Sequence, residues 1–135
     1  MRNNFFRGVT TAMITPFLPD GSVDFDGLRK NTLHQLENGV RGLLPLGTTG
    51  ETPTLSPEES KKIVQIVVQE TKKFDLNIPV MVGVGTNATD KTIKNAHQAQ
   101  EWGADALLVV TPYYNKPTQA GILAHFNAVC DAVDL

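Results

Sequence analysis

The feature that most constrains the fold is a pattern that occurs four times: a short apolar run followed by an amphipathic segment. The apolar runs span residues 8–15, 42–46, 79–83 and 106–110. The amphipathic segments span residues 24–38, 57–73, 90–101 and 119–133. Short apolar runs between turn residues are typical of strands buried on both faces of a parallel sheet. Four strand–helix units with right-handed connections therefore predict an α/β fold.

Several helix ends carry local signals. Ser56 precedes Pro57 and stands three residues before Glu59, which predicts an N-terminal capping box and a helix over residues 57–73. Gly39 is predicted to end the first helix. The third helix is predicted to be capped by Thr89 and to stop at Gly103.

The pattern leaves two architectures open, half of an eight-unit barrel or a small doubly wound sheet. A complete barrel typically needs about 250 residues, and this chain has 135. Its 41% hydrophobic and 19% charged content is that of an ordinary globular domain. One domain over residues 1–135 is the expected organisation.

Hydroxyl and amide side chains follow all four predicted strands. The most pronounced case is the sequence Gly-Thr-Thr-Gly-Glu at residues 47–51, directly after the second apolar run. Ligands bind at the carboxyl ends of strands in parallel sheets and barrels. Thr15, residues 85–87 and residues 111–115 supply further polar groups at that same end. A site rich in hydrogen-bond donors is therefore expected there.

Several function classes are excluded or disfavoured. Fourteen acidic and 12 basic residues are spread without a basic stripe, so no nucleic-acid partner is expected. No run reaches the roughly 18 apolar residues of a membrane span, and the N-terminus lacks a signal peptide, which predicts a cytoplasmic protein. The three histidines lack ligand spacing, so neither metal nor cofactor is expected. Cys130 is predicted to be a buried, inert thiol.

A dinucleotide-binding fingerprint also needs weighing, because residues 83–88 fit the pattern G-x-G-x-x-A. In that fold the acidic residue that binds ribose lies at the carboxyl end of the next strand. The candidate here, Asp105, lies instead at the amino end of the predicted strand 106–110. We therefore expect the glycines to ease a tight turn. The turn at residues 47–51 similarly lacks the Lys-Ser/Thr of a phosphate-binding loop.

Three motifs carry a family resemblance. Residues 8–17 (GVTTAMITPF), 47–51 (GTTGE) and 111–119 (TPYYNKPTQ), in this order and spacing, resemble the dihydrodipicolinate synthase family of pyruvate-dependent class I aldolases. The match covers nearly the whole chain. The resemblance implies the N-terminal half of a TIM (β/α)8 barrel, comprising four consecutive βα units with parallel strands and lacking the C-terminal half. N-acetylneuraminate lyases and keto-deoxy sugar-acid aldolases are the related alternatives.

The resemblance also implies a reaction and roles for particular residues. In this family a lysine forms a Schiff base with pyruvate, and the enamine attacks L-aspartate 4-semialdehyde in lysine and diaminopimelate biosynthesis. Thr48 resembles the proton-relay threonine, and Thr49 the residue that binds the pyruvate carboxylate. Tyr114 resembles the relay tyrosine contributed across a dimer interface, which implies a homo-oligomer, at least a dimer.

Two departures from the family pattern modify these expectations. The family's Schiff-base lysine lies on the sixth strand and its principal acid–base tyrosine follows the fifth, so residues 1–135 alone are expected to be inactive. Lys116 is the only lysine expected near the site, and a solvated amine is a poor nucleophile. Lys91 stands where lysine-inhibited members carry an acid, which predicts weak inhibition by lysine.

The remaining alternative is a non-catalytic half-barrel that binds a carboxylate. In either case, a half-barrel would leave unpaired strand edges and an apolar inner face. Residues 1–135 alone are therefore expected to self-associate.

Overall fold

In the computed structural model, which describes residues 7–74 and 78–135, strands and helices alternate in the predicted order. The strands are β1 Thr10–Ala12, β2 Gly42–Leu44, β3 Met81–Gly83 and β4 Ala106–Leu108. The α-helices are α1 Phe25–Glu37, α2 Pro57–Lys73, α3 Thr89–Glu101 and α4 Gln119–Ala132. Two short 3-10 segments, Thr48–Gly50 and Thr52–Thr54, lie between β2 and α2.

The strands are shorter than predicted because paired backbone, rather than apolar sequence, sets their limits. β1 and β2 pair in parallel over three residues each. Hydrogen bonds nevertheless continue beyond the pairing, from the Arg41 N–H to the Val9 carbonyl (2.9 Å) and from the Met13 N–H to the Leu44 carbonyl (2.9 Å). The four apolar runs thus form one strand each, as predicted, with overestimated ends.

The order of the strands decides between the two architectures. β1 pairs with β2 and β3 with β4, all in parallel. A bridge between Leu43 and Val80 joins the two pairs, supported by the Gly83 N–H donating to the Pro45 carbonyl at 3.1 Å. Each strand therefore lies beside its successor, whereas a doubly wound sheet reverses its order at a switch point. Right-handed connections in one direction place every helix on the same face, which is the arrangement of a barrel wall.

The two faces of the sheet have different surroundings. Leu43, Val80 and Val82 are almost fully buried with the apolar residues of the helices, such as Val64. On the other face, Leu108 is 37% exposed, because the helices cover only one side. The sheet thus presents an uncovered apolar inner face. This face provides a physical basis for the self-association of residues 1–135, which stays a prediction.

The helix ends confirm most of the local signals. The Glu59 N–H donates to Ser56 Oγ (3.2 Å) and the Ser56 N–H donates to Glu59 Oε2 (2.8 Å), so the capping box is present and α2 has the predicted bounds. These bonds, the backbone one first, hold the pKa of the Glu59 carboxyl below its usual value. Gly39 and Gly103 have φ of 81° and 94° and follow the C-cap residues of α1 and α3, Asn38 and Trp102. Glycine adopts this left-handed conformation without strain.

The predicted cap of the third helix is wrong. Thr89 is the first helical residue, Ala88 occupies the cap position, and no side chain caps it. The Thr89 hydroxyl instead lies 3.0 Å from Nδ1 of His125 on α4. The backbone N–H of Ala88 donates to Thr86 Oγ1 at 3.1 Å. Thr86, three residues before Thr89, therefore supplies the hydrogen-bond acceptor at the start of this helix.

The prediction that Cys130 is buried is also wrong, because its thiol is exposed. α4 buries His125 and Val129, which are four residues apart and share one face of the helix. Cys130 follows Val129 by one position and therefore lies about 100° around the helix axis from it.

An ion-pair cluster joins α1 to α2. Glu70 is 2% exposed and pairs with Arg29 of α1 and with Lys73 Nζ, the latter at 2.8 Å. The hydrogen bond from Lys73, followed by that from Arg29, lowers the pKa of Glu70 despite its burial, which acts in the opposite direction. The charged carboxylate is therefore the form that the folded state stabilises.

This cluster predicts a pH-dependent loss of stability. Because the folded pKa of Glu70 lies below its unfolded value, the stabilisation is present above the unfolded pKa and is lost as pH falls through the folded pKa. Glu70→Gln should lower the free energy of unfolding at pH 7 by about 1–3 kcal/mol and flatten its acid dependence. Urea unfolding at pH 7 and pH 4 measures both effects. The control Glu101→Gln changes an exposed carboxylate on α3; equal losses in both variants would contradict the prediction.

Candidate functional site

The site lies at the carboxyl ends of the strands and is built on the turn that follows β2. The Gly50 N–H donates to the Gly47 carbonyl and the Glu51 N–H to the Thr48 carbonyl, both at 3.1 Å. The Thr52 hydroxyl donates to the same Gly47 carbonyl at 2.9 Å. The turn is therefore fixed by its own backbone.

Thr48 and Thr49 are exposed on this turn. Among the residues that the structure describes, neither hydroxyl has a hydrogen-bond partner, unlike the hydroxyls of Thr52 and Thr54 in the same loop. Each hydroxyl can both donate and accept. Two adjacent free hydroxyls on a rigid turn suit the binding of a small carboxylate and the passage of a proton.

Thr15 anchors the turn to β1. Its side chain is 6% exposed, and its hydroxyl donates to the Gly50 carbonyl at 2.7 Å. A Cβ at Gly50 would lie 3.1 Å from the Met13 carbonyl oxygen, so the turn packs directly on the chain after β1. The sequence predicted Thr15 as one of the ligand-facing polar groups, but this hydroxyl is already satisfied. No local signal reveals such a bond, because its partner lies 35 residues away.

Close backbone packing accounts for the glycines at the end of β3 and just after it. A Cβ at Gly83 would collide with the carbonyl of Leu46, and one at Gly85 would lie 2.6 Å from the Val110 nitrogen. Both obstructing atoms belong to the backbone. This supports the expectation that these glycines serve tight packing rather than a dinucleotide.

Backbone strain is concentrated at the same end of the sheet. In the described residues, four non-glycine positions have positive φ: Leu46 (58°), Glu51 (53°), Tyr114 (69°) and Lys116 (48°). The first two flank the threonine turn, and the last two lie in the loop between β4 and α4. A left-handed conformation costs a non-glycine residue about 1–2 kcal/mol. Such strain clusters at functional sites, where the surrounding structure maintains it.

The structure does not bring Tyr114 into contact with the threonines. Its side chain is 94% exposed, and within the described residues it has no hydrogen bond to Thr48 or Thr49. Its neighbour Asn115 instead joins the loop to the one after β3. Asn115 Nδ2 donates to the Asn87 carbonyl at 2.9 Å, and Asn87 Nδ2 donates to Asn115 Oδ1 at 3.2 Å. The sequence singled out neither bond.

The cations of the chain lie mostly away from this end. Seven lysines lie on helices. One of them, Lys91 in the first turn of α3, is exposed. The weak inhibition by lysine that was inferred from Lys91 stays a prediction. Lys116 is exposed in the strained loop next to Tyr114.

Within residues 7–74 and 78–135, no three His, Cys, Asp or Glu side chains gather closely enough to hold a metal ion. Nor is any helix in this part of the chain long and apolar enough to cross a membrane.

Comparison with known proteins assigns the chain to a family. The family model described as the dihydrodipicolinate synthetase family matches residues 5–135. The chain belongs to this family. It is similar to the 4-hydroxy-tetrahydrodipicolinate synthase of Agrobacterium fabrum, with 52% identity over 130 residues, covering 96% of this chain and 43% of that protein. The chain thus spans less than half the length of this relative.

Solved structures of the family have the same fold over the length of this chain. The dihydrodipicolinate synthase of Thermotoga maritima superposes with a TM-score of 0.91 at 46% identity, over 97% of this chain and 43% of that one. The chloride-inhibited enzyme of Acinetobacter baumannii, solved with pyruvate, superposes with a TM-score of 0.90 at 41% identity, over 95% and 43% of the two chains. The predicted fold, the N-terminal half of a TIM barrel, is confirmed. The synthase resemblance is likewise favoured over the related aldolases.

Proposed function

We propose that residues 1–135 form one half-barrel unit that supplies the pyruvate-binding turn of a 4-hydroxy-tetrahydrodipicolinate synthase. The whole enzyme would condense pyruvate with L-aspartate 4-semialdehyde, in lysine and diaminopimelate biosynthesis in the cytoplasm. The observation that carries the proposal is the pair of hydroxyls of Thr48 and Thr49, which have no hydrogen-bond partner among the described residues and lie on a rigid turn at the carboxyl end of β2. The relative solved with pyruvate supports the choice of substrate.

In this mechanism the turn binds the substrate through its carboxylate. The Thr49 hydroxyl and backbone N–H would donate to the pyruvate carboxylate, which presents the C2 carbonyl to a lysine amine. The amine adds to C2, and the carbonyl oxygen leaves as water once protons reach it. Loss of a C3 proton gives the enamine, whose C3 bonds to the aldehyde carbon of the semialdehyde, and the new alkoxide takes up a proton. The amino group of the semialdehyde portion would then add to C2 and displace the lysine, which closes the ring and returns the free lysine amine. The hydroxyls of Thr48 and Tyr114 would move these protons.

The exposure of Tyr114 supports a homo-oligomer. Tyr114 is 94% exposed, and its phenol has no hydrogen bond among the described residues. It is therefore free to reach the site of a neighbouring subunit. Proton relay needs hydroxyls within hydrogen-bond distance, roughly 2.6–3.2 Å. A second subunit that brings Tyr114 to Thr48 would meet this requirement, so we propose at least a dimer.

The Schiff-base lysine is proposed to lie outside residues 1–135. A lysine nucleophile must be unprotonated, which requires burial or a neighbouring cation. Seven lysines lie on helices, and Lys116, the one in a site loop, is exposed. Residues 1–135 alone are therefore expected to bind pyruvate at most non-covalently.

Borohydride trapping tests this assignment. Residues 1–135 incubated with pyruvate and sodium borohydride should gain no stoichiometric adduct by intact mass, whereas a complete enzyme containing them should gain one pyruvate per chain, outside this segment. Peptide mapping locates any adduct, and Lys116→Arg is the matched control. A stoichiometric adduct at Lys116 that this variant abolishes would contradict the proposal. Saturable binding without an adduct in the complete enzyme would instead favour the non-catalytic carboxylate-binding alternative.

A further inference from the structure

We propose that Asn115 is a positioning residue, which fixes the Tyr114 loop against the loop after β3 by bonding Asn87. The inference rests on the proposed function for the role of Tyr114, but the bonds themselves are independent of it. The loop between β4 and α4 contains two strained residues, Tyr114 and Lys116, which have positive φ and lie on either side of Asn115. Strained residues keep such conformations only where surrounding contacts impose them.

The contacts available for this purpose are few. Tyr113, Tyr114, Asn115 and Lys116 are all exposed, so packing does not fix the loop. Within the loop, the Asn115 N–H donates to the Tyr113 carbonyl at 2.8 Å, which closes a tight turn. Among the described residues, the hydrogen bonds that join its exposed tip to another loop are the two between Asn115 and Asn87, 28 residues apart.

The loop that carries Asn87 is itself held in place by hydrogen bonds. Asn87 follows Thr86, whose N–H donates to Thr92 Oγ1 at 3.0 Å and whose hydroxyl donates to the Ala88 carbonyl at 2.8 Å. Thr92 is fully buried on α3. The Asn87 carbonyl therefore belongs to a loop that is bonded to the core. By bonding this carbonyl, Asn115 holds the neighbouring backbone of Tyr114 in place.

The two asparagines make unequal contributions, which gives the proposal a graded test. Asn115→Ala removes both bonds, because its amide supplies one donor and one acceptor. Asn87→Ala removes only the bond to Asn115 Oδ1, since the Asn87 carbonyl that accepts from Asn115 is backbone. Asn115→Asp keeps the shape and the acceptor but cannot donate to that carbonyl. The matched control is Asn95→Ala, which removes one bond to the Val84 carbonyl (3.1 Å) without touching the tyrosine loop.

Amide hydrogen exchange by mass spectrometry on the full chain measures the loop directly. Within residues 111–118, the N–H of position 115, which donates to the Tyr113 carbonyl, should exchange roughly tenfold faster or more in Asn115→Ala, as expected when two hydrogen bonds that hold the loop are lost. The acceleration should be smaller in Asn115→Asp and Asn87→Ala. Asn95→Ala should leave this segment unchanged. Unchanged exchange in Asn115→Ala, or equal acceleration in Asn95→Ala, would overturn the proposal.

Kinetics of a complete enzyme containing these residues separate positioning from general stability. Asn115→Ala should lower kcat while leaving the KM for pyruvate nearly unchanged, because in the described residues Asn115 bonds the loop after β3 and has no hydrogen bond to the threonine turn. Tyr114→Phe in the same assay tests the proposed relay on its own. If Tyr114→Phe leaves kcat unchanged, the relay assignment fails, whereas the exchange result still decides the role of Asn115. If Tyr114→Phe lowers kcat and Asn115→Ala does not, the positioning role is wrong.

Discussion

Replacing Gly83 with alanine should lower the free energy of unfolding by more than about 3 kcal/mol, more than is usual for a single substitution. The added Cβ would collide with the Leu46 carbonyl where β3 packs on the end of β2. The obstructing atoms are backbone, and the Gly83 N–H is bonded to the Pro45 carbonyl at 3.1 Å. No change of rotamer can relieve the collision, so the two strands must separate.

Chemical denaturation followed by circular dichroism measures this effect on residues 1–135. Gly121→Ala is the matched control, because a Cβ there would lie 3.4 Å from its nearest neighbour, Thr118 Oγ1, inside helix α4. Alanine is favoured over glycine in helices by up to about 1 kcal/mol, so this variant should be neutral or more stable. Equal unfolding midpoints for the two variants would show that β2 and β3 are not packed as described.

Thr48→Val should lower kcat of a complete enzyme by about 100-fold, the usual contribution of a group that transfers a proton. Valine keeps the shape of threonine and removes only the hydroxyl. That hydroxyl has no hydrogen-bond partner in the described residues, so its loss should leave the turn intact. Steady-state kinetics with pyruvate and aspartate semialdehyde measure the effect, and an unchanged melting temperature confirms that the fold is preserved.

Thr54→Val provides the loop control for this experiment. It removes a hydroxyl from the same loop, but one that donates to the Glu51 carbonyl at 2.8 Å. If disturbance of the loop alone slowed the reaction, this variant would be impaired as much as Thr48→Val. A large kcat loss confined to Thr48→Val supports the relay, whereas a full-rate Thr48→Val enzyme excludes it.

The sequence by itself determined the elements of this protein and their order. The start of α2 follows from a capping box contained within four residues, and the ends of α1 and α3 follow from Gly39 and Gly103. The position of Thr48 and Thr49 after a buried strand also follows from the local pattern. Such features are predictable because the interactions that produce them join residues close in the chain.

Only the tertiary structure decided the features that join distant residues. The bridge from Leu43 to Val80 selected the sequential strand order over a doubly wound sheet. Thr15 anchors a turn 35 residues away, and Asn115 bonds a loop 28 residues away. The exposure of Cys130 likewise depends on which face of α4 meets α3. Hydrophobic periodicity records that a residue is buried or exposed on average, but it does not record its partner, so these contacts had to come from the packed chain.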